Sequence, residues 1–228
     1  AMELRLAHAR ATRDIDLALK GKPQGTGAKQ AGYLQDLLSN AVNKDLGDFF
    51  AFRVGGVQLE LDGPLYGGAR YPVEALMDNR LFVSFHVDAA VGDYIPAELE
   101  TAHEQDFLSF AGIASATFPM IAREVQFAEK LHSYTMPRSV PNSRARDLVD
   151  MVLLIQEGKI SPAKAQAALK AVFARRKSHD IPAVLDPAPD RWAKSFAEMA
   201  DECGLKIDIK AGFEVLNRFY LKAISGAQ

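Results

Sequence analysis

The sequence predicts an α+β chain in which a front portion of mixed strands and helix carries an all-helical carboxyl-terminal region. Three observations carry that prediction. Alternating apolar runs of strand length fall before Pro96, apolar residues near a 3.6-residue period dominate after it, and Pro-rich turns such as "TMPRSVPNS" and "SHDIPAVLDPAPD" separate the later runs.

The opening strand lies in "RATRDIDLAL", Arg10 to Leu19. A strand alternates its side chains, so Asp14 and Asp16 share one face, about 7 Å apart at Cα, while Ile15 and Leu17 turn toward a core. Aspartate is depleted in strands, and two like charges side by side are costly unless a cation or water intervenes. A solvated strand face is one reading of this pair. A site for a hard divalent cation such as Mg²⁺, which prefers carboxylate oxygens, is the other.

The loop "GKPQGTGAKQ" lacks the Gly-Lys-Ser/Thr ending of a phosphate loop and reads as a connection in which Thr26 caps the next helix. That helix is predicted over Ala28 to Asp45, with Ala31, Leu34, Leu37, Leu38, Ala41 and Val42 on its apolar face. Strands follow in "FFAFRVGGVQLEL", in "ARYPVEALM", and most clearly in "RLFVSFHVDAAV", Arg80 to Val91. That last run reads as a buried strand, and Asp88 emerges near its end, in apolar surroundings where an unpartnered charge is expensive, so a partner is expected. His86 reads as a structural histidine. Helices are predicted over Ala122 to Ser133, Ser143 to Gln156, Pro162 to Arg176, Arg191 to Glu202 and Ile209 to Ala223.

Composition bounds the function classes. With 228 residues, 48% hydrophobic and 25% charged, the chain has the makeup of an ordered globular protein of one large or two small domains. No apolar run reaches the roughly 18 to 20 residues of a membrane span, no signal or transit pattern opens the chain, and the single Cys203 reads as a small buried hydrophobe. The expectation is a cytoplasmic protein without membrane attachment. The net charge of −2 is no global signature of a nucleic-acid binder, but its distribution is uneven. Leu81 to Ala122 contains no Lys or Arg, whereas Met136 to His179 is basic, with Arg138, Arg144, Arg146, Lys164 and Lys170 among its cations. Solvated helix faces explain such a segment, and so does a phosphate-rich partner.

Taken together, "DID" and "HVD" supply three strand carboxylates. A pair on one strand with a third on a neighbour could hold two divalent ions roughly 3.5 to 4 Å apart, the arrangement that serves phosphoryl or nucleotidyl transfer. One carboxylate could assist deprotonation of an attacking hydroxyl.

Four blocks in order, "ATRDIDLAL", "GARYPVEALMDNRLFVSFHVDAAVGD", "IAREVQFAEKLHSY" and "SRARDLVDMVLL", resemble the AbiE-type (AbiEii/AbiGii toxin) nucleotidyltransferases of the polymerase-beta-like superfamily. The resemblance spans roughly Met2 to Ile155. It implies a mixed sheet with helices, a nucleotidyltransferase core over residues 1–96, and a helical region over 97–228. It also implies that Asp14 and Asp16 are the metal-binding pair, that Asp88 is the third metal carboxylate, and that Thr12 is the Ser/Thr position beside the pair. Lys130, in "AEKLH", matches the lysine that contacts the triphosphate, and Asp147, in "RARDLVD", the final active-site acid. A lysine ammonium is a mobile point charge suited to a phosphate, and a nearby acid can position it.

The implied activity is Mg²⁺- or Mn²⁺-dependent transfer of a nucleoside monophosphate from an NTP to an RNA end, with the acceptor end of tRNA favoured. The setting is a toxin-antitoxin or phage-defence pair, with a cognate antitoxin as a possible partner. Family members carry a Gly-rich turn a few residues before the first block. The sequence begins at Ala1 and Met2 without it, so the expectation is a core truncated at that turn. A catalytically silent module binding a nucleotide or an antitoxin is the alternative, and a protein-modifying nucleotidyltransferase is another. Ordinary helix chemistry also accounts for parts of this pattern: Glu129, Lys130 and Arg123 could be one polar helix face, and Arg146 and Asp150 an i,i+4 ion pair, although Asp150 could equally support the site residues.

Overall fold

The structure, a computed structural model, describes residues 2, 5, 6, 8, 9, 14–20, 25–45, 47, 49–61, 66–92, 95, 96, 98–103, 110, 115, 117–139 and 144–226. These form two compact units. The sheet unit contains strands β1 (Asp14–Leu19), β2 (Phe50–Val54), β3 (Leu59–Glu60), β4 (Gly68–Met77) and β5 (Arg80–Val91), with helix α1 (Ala28–Val42). The helical unit contains the short strands β6 (Glu100–His103) and β7 (Thr117–Met120), then α2 (Arg123–Thr135), α3 (Ala145–Gln156), α4 (Pro162–Arg176), α5 (Ala193–Glu202) and α6 (Ile209–Ser225).

The sheet is mixed. Its order is β1-β5-β4-β2, with β3 also on β4; β1 runs parallel to β5, and β5, β4 and β2 are successively antiparallel. Strands β4 and β5 are joined through Asp78 and Asn79, at φ 49° and 58°. Both are residue types that tolerate the left-handed region, and two such residues match the right-handed twist of the flanking strands. Along the hairpin the register passes from Leu76 opposite Leu81 to Ala75 opposite Val83, so Phe82 is an extra residue and the ladder slips by one.

One face of the sheet packs on α1. Ala31 and Leu34 of the helix meet Ala69, Tyr71, Ala89 and Val91, with Leu19, Leu38 and Val54 at the margin. Tyr71 is wholly buried and donates its hydroxyl to the carbonyl of Ala31 at 2.7 Å, which satisfies its one polar atom and anchors α1 to β4. Burial pushes its phenol up to about 12.

Four expectations need correction here. Ile15 and Leu17 turn to the α1 side but remain 46% and 40% exposed, because β1 is an edge strand. Strand β5 is not buried throughout: Arg80 to Ser84 are exposed, and the buried positions are Val87, Ala89 and Val91. The residue at the start of α1 is Gly27, at φ 53°, rather than Thr26, and the helix ends at Val42 rather than Asp45.

In the helical unit α3 is buried on nearly every side, from Leu148 through Leu154, as a central helix must be. It packs against α2, α5 and α6. The other helices show one apolar face each, and their ends carry familiar stop signals. Pro162 opens α4, the Asp208 side chain accepts from the Ala211 amide at 2.8 Å to cap α6, and Gly226 closes α6 at φ 65°. Cys203 is buried beside the end of α5.

The β6–β7 ladder was not among the expected elements. Four-residue strands, one of them containing Pro119, give too short an alternation to recognise. The Glu100 carboxylate of β6 joins two cations, lying 3.4 Å from both the Arg5 and the Arg123 guanidinium groups. Arg5, whose ionisation burial pulls below its ordinary value, also donates to the carbonyl of Ile121.

Candidate functional site

The candidate site residues of the sheet unit are collected by register. Asp16 pairs with Asp88 and Asp14 with His86 between β1 and β5, while Arg70 of β4 lies opposite Asp88. Paired residues on adjacent strands point to the same side, so Asp14, Asp16, His86, Asp88 and Arg70 all stand on the face opposite α1. The alternation that buries Ala69, Tyr71, Val87 and Ala89 is what leaves this face for polar groups.

Arg70 is the centre of the cluster. Its Nε and Nη2 donate to Oδ1 and Oδ2 of Asp88, each at 2.7 Å, in the bidentate fork that guanidinium and carboxylate planes favour. Nη2 is also 3.8 Å from Oδ1 of Asp14, and the same oxygen is 3.4 Å from Nδ1 of His86. The hydrogen bonds to Asp88, then the charges of Asp88, Asp14 and Asp16, hold Arg70 above its ordinary ionisation range. The partner expected for Asp88 is therefore Arg70. Neither Arg70 nor the place of His86 beside Asp14 was among the sequence assignments.

Three aspartates on one face offer hard oxygen donors, the chemistry that suits Mg²⁺ or Mn²⁺. As the side chains are disposed, no three histidine, cysteine, aspartate or glutamate side chains among the described residues stand in the mutual geometry of a metal centre. The donor set thus fits a hard divalent ion chemically, while the cationic charge that now faces Asp88 and Asp14 is the Arg70 guanidinium. Thr12 lies outside the described residues.

The helical unit brings together the other assigned residues. Lys130 of α2 places Nζ 2.5 Å from Oδ2 of Asp150 and 3.6 Å from Oδ1 of Asp147, both on α3. Asp147 is also held by Arg144 at 3.2 Å. Asp150 is 1% exposed, and the lysine that faces it comes from the neighbouring helix. The i,i+4 arrangement with Arg146 is not what anchors it: Arg146 is exposed at the surface. A second cross-helix pair, Arg176 to Glu129 at 2.9 Å, ties α4 to α2 one residue before Lys130. The polar positions of α2 are therefore tied to other elements: Glu129 to α4, Lys130 to α3 and Arg123 to Glu100.

A further polar cluster lies where α2 meets the end of α4. The Ser178 hydroxyl sits 2.7 Å from His132 Nε2 and 2.9 Å from His179 Nδ1, and Thr135 Oγ1 is 2.8 Å from His179 Nε2. Burial, then the charges of His179, Arg176 and Arg138, pushes His132 down to about 4. These contacts link α2 to the residues that follow α4.

No helix among the described residues is long and apolar enough to cross a membrane. No curated protein matches the chain. The family model described as "Nucleotidyl transferase AbiEii toxin, Type IV TA system" matches residues 1–214 of 228, a span that contains every assigned residue from Asp14 to Asp147. The chain belongs to the AbiEii family of nucleotidyl transferase toxins of type IV toxin-antitoxin systems.

Proposed function

We propose that the protein transfers a nucleoside monophosphate from an NTP to the 3′ end of an RNA, with tRNA as the favoured acceptor, in the cytoplasm where both occur. The observation that carries this reading is the gathering of Asp14, Asp16 and Asp88 on one face of the sheet through the β1–β5 register. In the reaction, the acceptor hydroxyl oxygen bonds to the α-phosphorus, the bond from that phosphorus to the α–β bridging oxygen breaks, and pyrophosphate leaves.

A divalent ion, Mg²⁺ or Mn²⁺, would be held by Asp14, Asp16 and Asp88 and would supply Lewis-acid charge to the phosphates. One of these carboxylates takes up the hydroxyl proton. We assign Lys130 to the charge of the triphosphate, with Asp147 and Asp150 positioning its ammonium. Thr12 is assigned to nucleotide binding. The exposed cations Arg138, Arg146, Lys164, Lys170 and Lys177 support an RNA-phosphate surface on the helical unit.

The test is intact-mass analysis of tRNA incubated with each NTP and Mg²⁺, together with tRNA binding at rising salt. The expected results are a 3′ addition of one or more nucleotides and binding that weakens steeply with salt. Nucleotide transfer to protein with tRNA left unchanged would replace the RNA assignment. Binding that does not vary between low and moderate salt would remove the basic surface from it.

A further inference from the structure

We propose that Arg70 is a built-in competitor of the catalytic ion: it occupies Asp88 as a tethered cation, and Asp88 becomes an ion ligand only when Arg70 lets go. This rests on reading Asp14, Asp16 and Asp88 as the ion-binding carboxylates. The geometry is specific. Both oxygens of Asp88 accept from Arg70 at 2.7 Å, so the two acceptor directions best suited to a facing cation are already used. The same guanidinium is 3.8 Å from Asp14, so one positive charge serves two of the three carboxylates. A divalent ion placed among them would meet both occupied oxygens and a like charge.

The arrangement is also reversible. The Arg70 side chain is 29% exposed, so its head can leave Asp88 for water without unpacking the core. Its anchor on β4 is rigid, because Ala69 and Tyr71 on either side are wholly buried against α1. Arg70 therefore has two places to put its charge, while its backbone has one. The consequence for regulation is a site in which Asp88, and more distantly Asp14, faces a cation without an ion being bound. Affinity for a bare ion is lowered, and a ligand that brings its own negative charge, such as a triphosphate with its ion, favours the released state by attracting the freed guanidinium.

The test uses Mn²⁺ alone, with the free aqueous ion followed by electron paramagnetic resonance, on the full chain and on Arg70→Gln, Arg70→Lys and Asp14→Asn. Removing the competitor is expected to tighten Mn²⁺ binding about tenfold in Arg70→Gln, within the usual range for coupled equilibria. Arg70→Lys, which keeps the charge but loses the fork, is expected to fall between Arg70→Gln and the parent. Circular dichroism confirms folding, and Arg70→Lys carries the comparison if Arg70→Gln does not fold. Equal or weaker Mn²⁺ binding in the Arg70 variants, with Asp14→Asn still weakening it in the parent, overturns the competition and leaves the ion-site reading standing. Mn²⁺ binding that is unchanged by Asp14→Asn overturns the ion-site reading itself.

Discussion

Lys130 and Asp150 face one another across α2 and α3 at 2.5 Å, and the aspartate is 1% exposed. This pair is structural whatever else it does. Removing the lysine withdraws the facing cation from a buried carboxylate, so Lys130→Met is expected to destabilise the protein by about 3 to 5 kcal/mol. Adding Asp150→Leu to it should recover most of that loss, since the buried charge is then removed as well. Chemical denaturation of the two variants measures both. Any activity loss in Lys130→Met must therefore be compared with that of a folded variant, Asp147→Asn, whose residue is less buried.

On the sheet the order of effects is reversed. The Asp14 side chain is 38% exposed, so Asp14→Asn should change stability by no more than about 0.5 kcal/mol. Its effect on transfer should be about 100-fold or greater, the scale of losing a preorganised electrostatic partner. A thermal melt run beside the activity assay separates the two effects.

Gly68 opens β4 two residues before Arg70, and a Cβ placed there would sit 2.4 Å from the carbonyl oxygen of Ala89 and 3.0 Å from Cα of Ala90. Backbone of the central strand cannot give way cheaply. Gly68→Ala is expected to cost about 1 to 3 kcal/mol, as overpacking does. Gly56→Ala, where an added Cβ meets nothing within 4 Å, is the neutral control in the same denaturation series.

His132 sets an acid limit on the helical unit. It is neutral and buried in the folded chain, with its ionisation lowered from about 6.5 to about 4. Between those values the unfolded chain binds the extra proton and the folded chain does not, so stability is full above about pH 6.5 and falls as the pH drops toward 4. The loss should approach about 2 to 3 kcal/mol by pH 4. His132→Gln should flatten that part of the curve, which melting temperatures measured from pH 4 to 8 will reveal.

Most of this architecture was legible in the chain because local pattern and tertiary role agree. The run from Arg80 to Val91 and the helix from Pro162 to Arg176 have the bounds that their periodicity and end signals indicate. The three aspartates were legible because a charged residue in a strand is conspicuous. Arg70 was not, and the reason is register. Counting outward from the Asp78-Asn79 turn places Ala69 opposite Asp88; only the extra residue Phe82 slips the ladder and brings Arg70 there instead. A bulge leaves no trace in composition. Asp150 was legible only as a choice: its spacing from Arg146 suggests a surface pair and its place after Asp147 a supporting partner of Lys130, and burial of α3 on nearly every side turns it inward to Lys130.

The most direct measurement is transfer of label from α-³²P-NTP to total tRNA in the presence of Mg²⁺, comparing the protein with Asp14→Asn. The account expects labelled tRNA from at least one NTP, dependent on Mg²⁺ and lost in Asp14→Asn while the variant remains folded. Labelling that survives Asp14→Asn, or no labelling of RNA or protein from any NTP, would contradict the assignment of the sheet carboxylates to nucleotidyl transfer.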